Sequence, residues 1–196
     1  IKTTYTDLWN AGRIDTDLLY HNLMEVYRYG NVADPRVYVD TFVNYNFNAT
    51  NIRIAFARLG AELARRGEKE KAVEVLDYGL EQMPVSQFQY TYQYLPYIRA
   101  YYEARATEKG DALFDSYAKN LEEYVDYFLS FPDNRQYLIE NQFADKLTAL
   151  AELHRIAENY GRTDRAARIL NLFDWLFGPE GQTDYTEYEQ TVLPTE

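Results

Sequence analysis

Few side chains in this sequence could carry out chemistry. The chain contains two histidines, His21 and His154, and no cysteine, so thiolate catalysis, disulfides and cysteine-based zinc sites are excluded. Each histidine lies within a predicted helix beside apolar residues, which favours a structural or surface role. No His-Glu-x-x-His pair, phosphate-binding glycine loop or nucleophile elbow occurs in the sequence. We therefore predict no metal site, no cofactor and no catalytic residue.

Carboxylates are the one abundant reactive group. The chain has 31 Asp and Glu residues, and a glycosidase-like hydrolase would need two of them held roughly 5–10 Å apart. Sequence spacing cannot supply that distance. Glu122-Glu123 and the alternating Glu and Lys residues from Glu68 to Lys71 are typical of solvated helix faces. A carboxylate-based hydrolase is therefore the least favoured functional alternative.

Composition and charge narrow the class of protein further. The 196-residue chain carries a formal charge of −11, and an acidic surface disfavours a nucleic-acid partner because it repels phosphate. No apolar run approaches the roughly 18 residues that a membrane span requires. A content of 46% hydrophobic and 26% charged residues is typical of a globular chain. The length suits a single domain or one short repeat array, and the start at Ile1 suggests a piece of a longer protein.

The 20 tyrosines are unusually many. A tyrosine buries its ring and keeps a polar tip, so it suits half-buried faces and contact surfaces. The simplest interpretation is that these rings line seams between helices. The alternative is that some of them form an exposed surface that binds a partner.

The first 50 residues predict one helix followed by an irregular segment. Asp15-Thr16-Asp17 can cap a helix over 15–30 that carries apolar residues at helical spacing and stops at Gly30-Asn31. Asp34-Pro35 marks a turn. From Val37 to Phe42 the residues alternate with the period of a strand. We therefore predict an extended connector over 31–50 with room for one short strand.

Residues 51–84 carry the clearest pattern in the chain. Two helices, over 51–66 and 70–82, are predicted on either side of a turn at Gly67. Their apolar and small residues follow the tetratricopeptide spacing, so this segment resembles that family of helical repeats. Gly60 and Ala72 would allow the two backbones to approach closely. The packing positions are Phe56, Leu59, Gly60, Leu63, Ala72, Leu76 and Pro84.

Two weaker copies of the pattern follow. One covers 88–130, with Pro96 in the first turn of its first helix and a long second helix, and the other covers 135–178. The copies start near residues 53, 91 and 147, so their spacing is irregular. Gly178-Pro179-Glu180-Gly181 is predicted to end the helices, and 179–196 forms an acidic tail. We predict an all-α, irregular tetratricopeptide-like solenoid of helical hairpins, with about seven helices and one extended connector, over a single domain of residues 1–196.

The repeat resemblance implies a concave groove lined by the first helix of each pair. In tetratricopeptide domains this face commonly holds an extended peptide. Carried over by repeat position, the candidate groove residues are Arg65, Tyr92, Arg99, Tyr102 and Arg155. Arginine forks suit carboxylates. The alternative is that these arginines pair with neighbouring acids such as Glu103 and Glu158, which would leave no net demand for an anionic ligand. The connector over 36–50 or the tail over 182–196 could also occupy the groove.

Several phrases resemble a more specific family, the protein O-mannosyltransferase-like multispanning bacterial membrane proteins. The matching phrases are Asp15 to Met24, Asp34 to Asp40, Asn51 to Leu59, Val75 to Pro84, Leu95-Pro96 and Ala100 to Tyr102. The resemblance implies a soluble C-terminal region, membrane attachment only through a parent segment, and a periplasmic position, with the cytoplasmic face left open. It implies that any transferase residues lie outside this segment.

These observations predict a non-catalytic module that binds a protein or peptide in its groove. A glycan-binding accessory domain is the second hypothesis, and it requires an exposed tyrosine platform with acidic or amide neighbours. Burial of Tyr92, Tyr97 and Tyr102 between helices would count against that second hypothesis.

Overall fold

The computed structural model describes residues 12–40, 42 and 49–192, with side chains omitted at 133, 134, 137 and 179–192. The described residues form no strand, and their seven α-helices agree with the predicted all-α class. The helices are α1 (Thr16–His21), α2 (Thr50–Arg65), α3 (Lys69–Gln82), α4 (Tyr94–Glu103), α5 (Thr107–Leu129), α6 (Glu140–Asn159) and α7 (Thr163–Val192). A π-helical turn (Asn22–Val26) follows α1, and a 3-10 helix (Asp133–Leu138) precedes α6.

The described residues divide into two compact units within α5. The N-terminal unit extends to Leu113, and the C-terminal unit starts at Phe114. Each unit buries its own set of apolar side chains, and each is considered by itself below.

Three helical hairpins share one turn geometry. After α2, the amide of Gly67 donates to the carbonyl of Ala64 and that of Glu68 to Leu63. The same two bonds recur after α4 around Arg105 and after α6 around Gly161. This is the Schellman motif, in which the residue beyond the helix end adopts a positive φ, here 87°, 61° and 66°. The three turn residues lie 38 and 56 positions apart, which is the spacing that the sequence pattern predicts for its copies.

Helix α1 starts where the sequence predicts and ends earlier. The side chain of Asp15 accepts a hydrogen bond from the amide of Leu18 at 3.0 Å, as an N-cap should. The predicted helix to residue 30 is wrong, because Tyr27 has extended backbone angles. The guanidinium of Arg28 donates to the carbonyl of Glu25, and the hydroxyl of Tyr29 donates to that of Leu23. These side chains satisfy carbonyls that a longer helix would have paired.

The connector contains turns, and its described residues do not form the short strand for which the predicted extended segment had room. Residues 37–40 and 42 are not in a strand, and residues 41 and 43–48 lie outside the described part of the chain. Asp34 accepts bonds from the backbone amide and the guanidinium of Arg36, which closes a turn around Pro35. The side-chain amide of Gln87 donates to the backbone carbonyls of Asp34 and Val37, at 2.6 and 2.9 Å. Gln87 thus fixes a bent connector against the segment that follows α3.

The core of the N-terminal unit is packed around small residues. Phe56, Leu59 and Leu76 are fully buried. A Cβ added at Gly60 would lie 2.7 Å from Cγ of Leu76, and one at Gly79 would lie 2.6 Å from the hydroxyl of Tyr97. Such distances are too short for real carbon contacts, so α2, α3 and α4 approach each other only because these positions lack a side chain.

Helix α4 begins at Tyr94, six residues later than the predicted repeat boundary at 88, with Pro96 in its first turn as predicted. The preceding residues form a turn in which the backbone amides of Gln87 and Phe88 both donate to the carbonyl of Pro84. Proline inside the first helical turn is tolerated because its missing N–H has no helical acceptor there.

The C-terminal unit is held by apolar packing and two arginines. Leu150, Leu153 and Ile156 of α6 and Ile169 of α7 are fully buried. Arg165 and Arg168 on α7 form two-pronged pairs with acids on α5. Arg165 binds Asp115, and Arg168 binds Glu122 through Nε and Nη2, each at 2.7 Å. A two-pronged guanidinium–carboxylate pair fixes orientation as well as distance.

Two boundaries in the C-terminal unit differ from prediction. The repeat copy predicted over 135–178 begins within the 3-10 helix, and α6 starts after Ile139 leaves helical geometry at φ −125°. The predicted end of the helices at 178–181 is present only as a break at Gly178, because helical backbone follows it. Gly178, at φ 68° and ψ −179°, interrupts α7, and helical backbone then continues to Val192. Proline is favoured at the first position of a helix, so Pro179 restarts one.

Candidate functional site

Four of the five candidate groove residues lie in the N-terminal unit, on or beside the neighbouring helices α2 and α4. Arg65 is the last residue of α2, and its side chain is 72% exposed. Tyr92 precedes α4 and is 48% exposed, and Arg99 is half-buried within α4. Because α2 and α4 pack against each other, these three residues lie on adjoining helices. Arg155 belongs to α6 of the C-terminal unit.

Arg65 and Arg155 each pair with an acid on their own helix. Arg65 binds both carboxylate oxygens of Glu62, at 2.9 and 2.6 Å. Arg155 forms the same two-pronged pair with Glu152. The hydrogen bond from Arg65 is the main reason that the pKa of Glu62 lies below its usual value. The partners differ from the predicted Glu103 and Glu158, but the pairing alternative describes both arginines, so neither requires an anionic ligand.

Tyr102 packs between helices instead of lining an open face. It is 6% exposed, and its hydroxyl donates to Asp111 at 2.9 Å. A Cβ on Gly110 would lie 2.7 Å from the Tyr102 ring. Tyr102 therefore fills the corner between α4 and the first turn of α5.

The predicted packing residues are buried between α2, α3 and α4. Phe56, Leu59, Ala72 and Leu76 have no exposed surface, Leu63 is 2% exposed, and Gly60 is buried. Pro84 is half-buried in the turn after α3. These residues position α2 and α4 next to each other.

A buried arginine is the feature that sequence reasoning missed. Arg53 of α2 is 2% exposed, and its guanidinium donates to the carbonyls of Met83 at 3.1 Å and Phe88 at 3.2 Å. It also lies 5.1 Å from the Phe88 ring centroid and 4.8 Å from that of Tyr94. No carboxylate among the described residues pairs with it. The available signal was its spacing, because Arg53 is one turn before Phe56 on the apolar face.

Buried tyrosines surround this arginine and the adjoining core. Tyr97 is fully buried, and none of the described residues hydrogen-bonds its hydroxyl. Tyr101 is 2% exposed and donates to Asp77 at 2.8 Å, and Lys109 donates to the same carboxylate. Burial is the main cause that raises the pKa of both tyrosines, and the charge of Asp77 adds to it at Tyr101. These rings therefore serve the helix seams, as the simpler interpretation predicts.

The tyrosines named by the glycan hypothesis do not form a platform. Tyr97 and Tyr102 are buried and Tyr92 alone is substantially exposed. Stacking on a sugar needs accessible ring faces, which the two buried residues lack. The hypothesis loses its support at this location.

Each of the two histidines lies near an acid on its own helix or on the turn that follows it. His21 lies 2.7 Å from Glu25 on the surface, and His154 is largely buried with Nε2 3.8 Å from Glu158. The described residues contain no cluster of three His, Asp or Glu side chains suited to a metal ion. Arginines lower the pKa values of Asp34 and Glu62, so neither of these two carboxyls has the raised pKa that the general acid of a hydrolase needs.

Comparison with known proteins assigns no family. No protein-family model matches the chain, and no curated protein or solved structure resembles it significantly. None of the helices in the described residues combines the length and apolar character needed to cross a membrane.

Proposed function

We propose that this chain is a non-catalytic interaction module that holds an extended protein segment or peptide against the joint face of α2 and α4. The observation that carries the proposal is the threefold recurrence of one hairpin geometry, with turn residues at Gly67, Arg105 and Gly161. Stacked helical pairs of this type present extended binding surfaces along their first helices. The first helices of the first two hairpins, α2 and α4, pack directly on each other.

The side chains on this face favour a peptide that offers both apolar and polar groups. Ala61 and Ile54 are half-buried on α2, and the half-exposed Tyr92 adds an aromatic ring with a hydroxyl. Because Arg65 is already paired with Glu62, recognition would rest on apolar contacts and backbone hydrogen bonds more than on an acidic motif. The ring of Tyr92 can supply an apolar contact, and its hydroxyl can supply a hydrogen bond to a peptide backbone.

The test places a photo-crosslinking amino acid at Ala61 or at Tyr92 in the full chain. Tyr38, which is 83% exposed on the connector, receives the same group as a matched control. We expect one recurring polypeptide segment, identified by mass spectrometry, to be captured at positions 61 and 92, and Arg99→Ala to reduce its yield. Equal capture at position 38, or no adduct at either face position, would refute the proposal.

We also propose that the module is part of a larger membrane protein and faces the extracytoplasmic side. Its support is the resemblance of six sequence phrases to the soluble region of the O-mannosyltransferase-like family. The parent gene is expressed with alkaline phosphatase fused to this region. Because that enzyme is active only outside the cytoplasm, its activity shows on which side of the membrane the region lies. Activity of a cytoplasm-specific reporter instead would assign the opposite side.

A further inference from the structure

A row of three aromatic rings with an exposed ring at its centre lies in the C-terminal unit, apart from every residue discussed so far. The rings of Tyr124 and Tyr127 have centroids 5.9 Å apart at an interplanar angle of 61°. Those of Tyr127 and Phe131 are 5.0 Å apart at 80°. The three residues are three and four positions apart, so they share one side of the end of α5 and its following turn. We call them the aromatic platform.

The central ring of the platform is accessible, and packed helices support the row. Tyr127 is 51% exposed, and Tyr124 and Phe131 on either side of it are half-buried. Next to it, Phe128 of α5 is 8% exposed and stacks on Phe143 of α6, with centroids 3.7 Å apart and planes within 7°. This contact joins α5 to α6 beside the exposed rings. A binding surface on packed helices keeps its geometry better than one on a loop.

Polar groups that can both donate and accept hydrogen bonds border the platform. The hydroxyl of Tyr124 donates to Oε1 of Gln142 at 2.9 Å, and the amide nitrogen of Gln142 remains a donor. The ammonium of Lys146 lies 5.4 Å from the Tyr124 ring centroid. The exposed Asp145 lies three positions after Gln142 on α6 and therefore shares its side of the helix. Donors and an acceptor-only carboxylate thus lie beside aromatic faces.

We propose that the platform of Tyr124, Tyr127 and Phe131, bordered by Gln142, Asp145 and Lys146, binds a neutral carbohydrate. The face of a sugar ring carries electropositive C–H bonds, which complement the negative face of an aromatic ring. Its hydroxyls can donate to Asp145 and accept from Gln142 or Lys146.

Two features favour a neutral sugar over other ligands. A proline-rich peptide could stack on the rings but offers few donors for a carboxylate. An anionic polysaccharide would meet a chain of net charge −11, which disfavours its approach. This inference differs from the peptide proposal in its residues, its unit and its ligand, so either can fail alone.

The experiment uses affinity electrophoresis of the full chain in gels containing starch, mannan, xylan or a mixed-linkage β-glucan. Polygalacturonate serves as the anionic comparison. A titration with oligomers of the retarding polymer, followed by calorimetry, measures affinity. We expect at least one neutral polymer to retard the chain and Tyr127→Ala to weaken binding by about tenfold, the scale of one aromatic contact.

Matched variants decide the role of the ring. Tyr127→Phe should retain most of the affinity, because it keeps the aromatic face, and Tyr38→Ala in the other unit should leave binding unchanged. Gln142→Ala, at an exposed position, should weaken binding several-fold and serves if Tyr127→Ala fails to fold by circular dichroism. The proposal is overturned if no neutral polymer binds, if polygalacturonate or oligoproline alone binds, or if neither Tyr127→Ala nor Gln142→Ala weakens binding.

Discussion

The guanidinium of Arg53 lies 4.8 Å from the ring centroid of Tyr94, and both side chains are almost completely buried. This pair joins the first turn of α2 to the start of α4. The same guanidinium donates to Met83 at the end of α3, where helix carbonyls lack partners and attract a cation. One side chain therefore secures three helices of the N-terminal unit.

Arg53→Ala should lower the free energy of unfolding by about 3 kcal/mol, because it leaves a cavity and two unpaired carbonyls. Arg53→Lys should retain the charge but lose the flat contact with the rings, and so fall between Ala and the wild type. Urea denaturation followed by circular dichroism measures both. The control Arg36→Ala, at a highly exposed ion pair, should leave the stability close to that of the wild type. Equal effects of the two alanine variants would contradict the role of Arg53.

Gly60→Ala should destabilise the chain by about 1–3 kcal/mol even though alanine is the better helix former. The added methyl would lie 2.7 Å from Leu76, and overpacking of this size outweighs a propensity gain of about 1 kcal/mol. A double-mutant cycle with Leu76→Ala should show coupling, since the smaller side chain makes room for the methyl. Strictly additive effects would mean that the two helices adjust without strain.

Arg105→Gly should stabilise the chain by roughly 0.5–1 kcal/mol. Arg105 is exposed and has a φ of 61°, a conformation that costs a non-glycine residue about 1–2 kcal/mol, part of which is offset by the greater freedom of glycine when unfolded. Gly67→Ala, which introduces the same strain at the equivalent turn, should destabilise by a similar amount. Thermal unfolding monitored by calorimetry reports both. A loss of stability in Arg105→Gly would show that the contacts of the arginine side chain stabilise the fold by more than its backbone conformation destabilises it.

Tyr97→Phe and Tyr101→Phe form a matched pair of core substitutions. Tyr101→Phe should cost about 1 kcal/mol, because it leaves Asp77 without one of its donors. Tyr97→Phe should be neutral or stabilising, since no described residue hydrogen-bonds the buried hydroxyl that it removes. Chemical denaturation of the two variants under identical conditions tests the difference. The reverse order would indicate that the Tyr97 hydroxyl has a partner.

The buried tyrosines also predict how stability changes at alkaline pH. Their pKa values are raised in the folded chain above the ordinary value of 10.0, mainly by burial. A group with a raised folded pKa stabilises the fold fully below its unfolded pKa, and that contribution is lost as the pH rises. We expect unfolding to become easier above about pH 10 and the double variant Tyr97→Phe, Tyr101→Phe to reduce this dependence. Stability curves at pH 8 and above, with tyrosinate absorbance recorded in parallel, test it. An unchanged slope in the double variant would assign the alkaline loss to other groups.

Local patterns predicted the helices well and their interruptions poorly. The spacing of Phe56, Gly60 and Ala72 indicated two tightly packed helices, and Gly67 marked the turn between them, because helix periodicity and positive φ are local properties. The early end of α1 depends on the Tyr29 hydroxyl reaching the Leu23 carbonyl. Such a contact competes with helix propensity only once the surrounding structure has formed.

The candidate groove residues show the same limit. Sequence position assigned Tyr92 and Tyr102 to one face, yet the structure exposes the first and buries the second. Gly110 explains the difference, because its missing side chain leaves space for the Tyr102 ring. The position of a residue in the repeat predicts which side of its helix it lies on. Whether that side is buried depends on the residues of the neighbouring helix that pack against it.

The sequence by itself determined the all-α class, the positions of most helices and the turn at Gly67, since these follow from periodicity, capping and the backbone preferences of glycine and proline. The tertiary structure alone decided that Arg53 is buried, that Tyr97 and Tyr101 line a core, and that Tyr124, Tyr127 and Phe131 form a row with the exposed Tyr127 at its centre. Arginine and tyrosine combine an apolar body with a polar end, so their own chemistry suits both water and the interior. Their environment is therefore selected by the packing of distant segments.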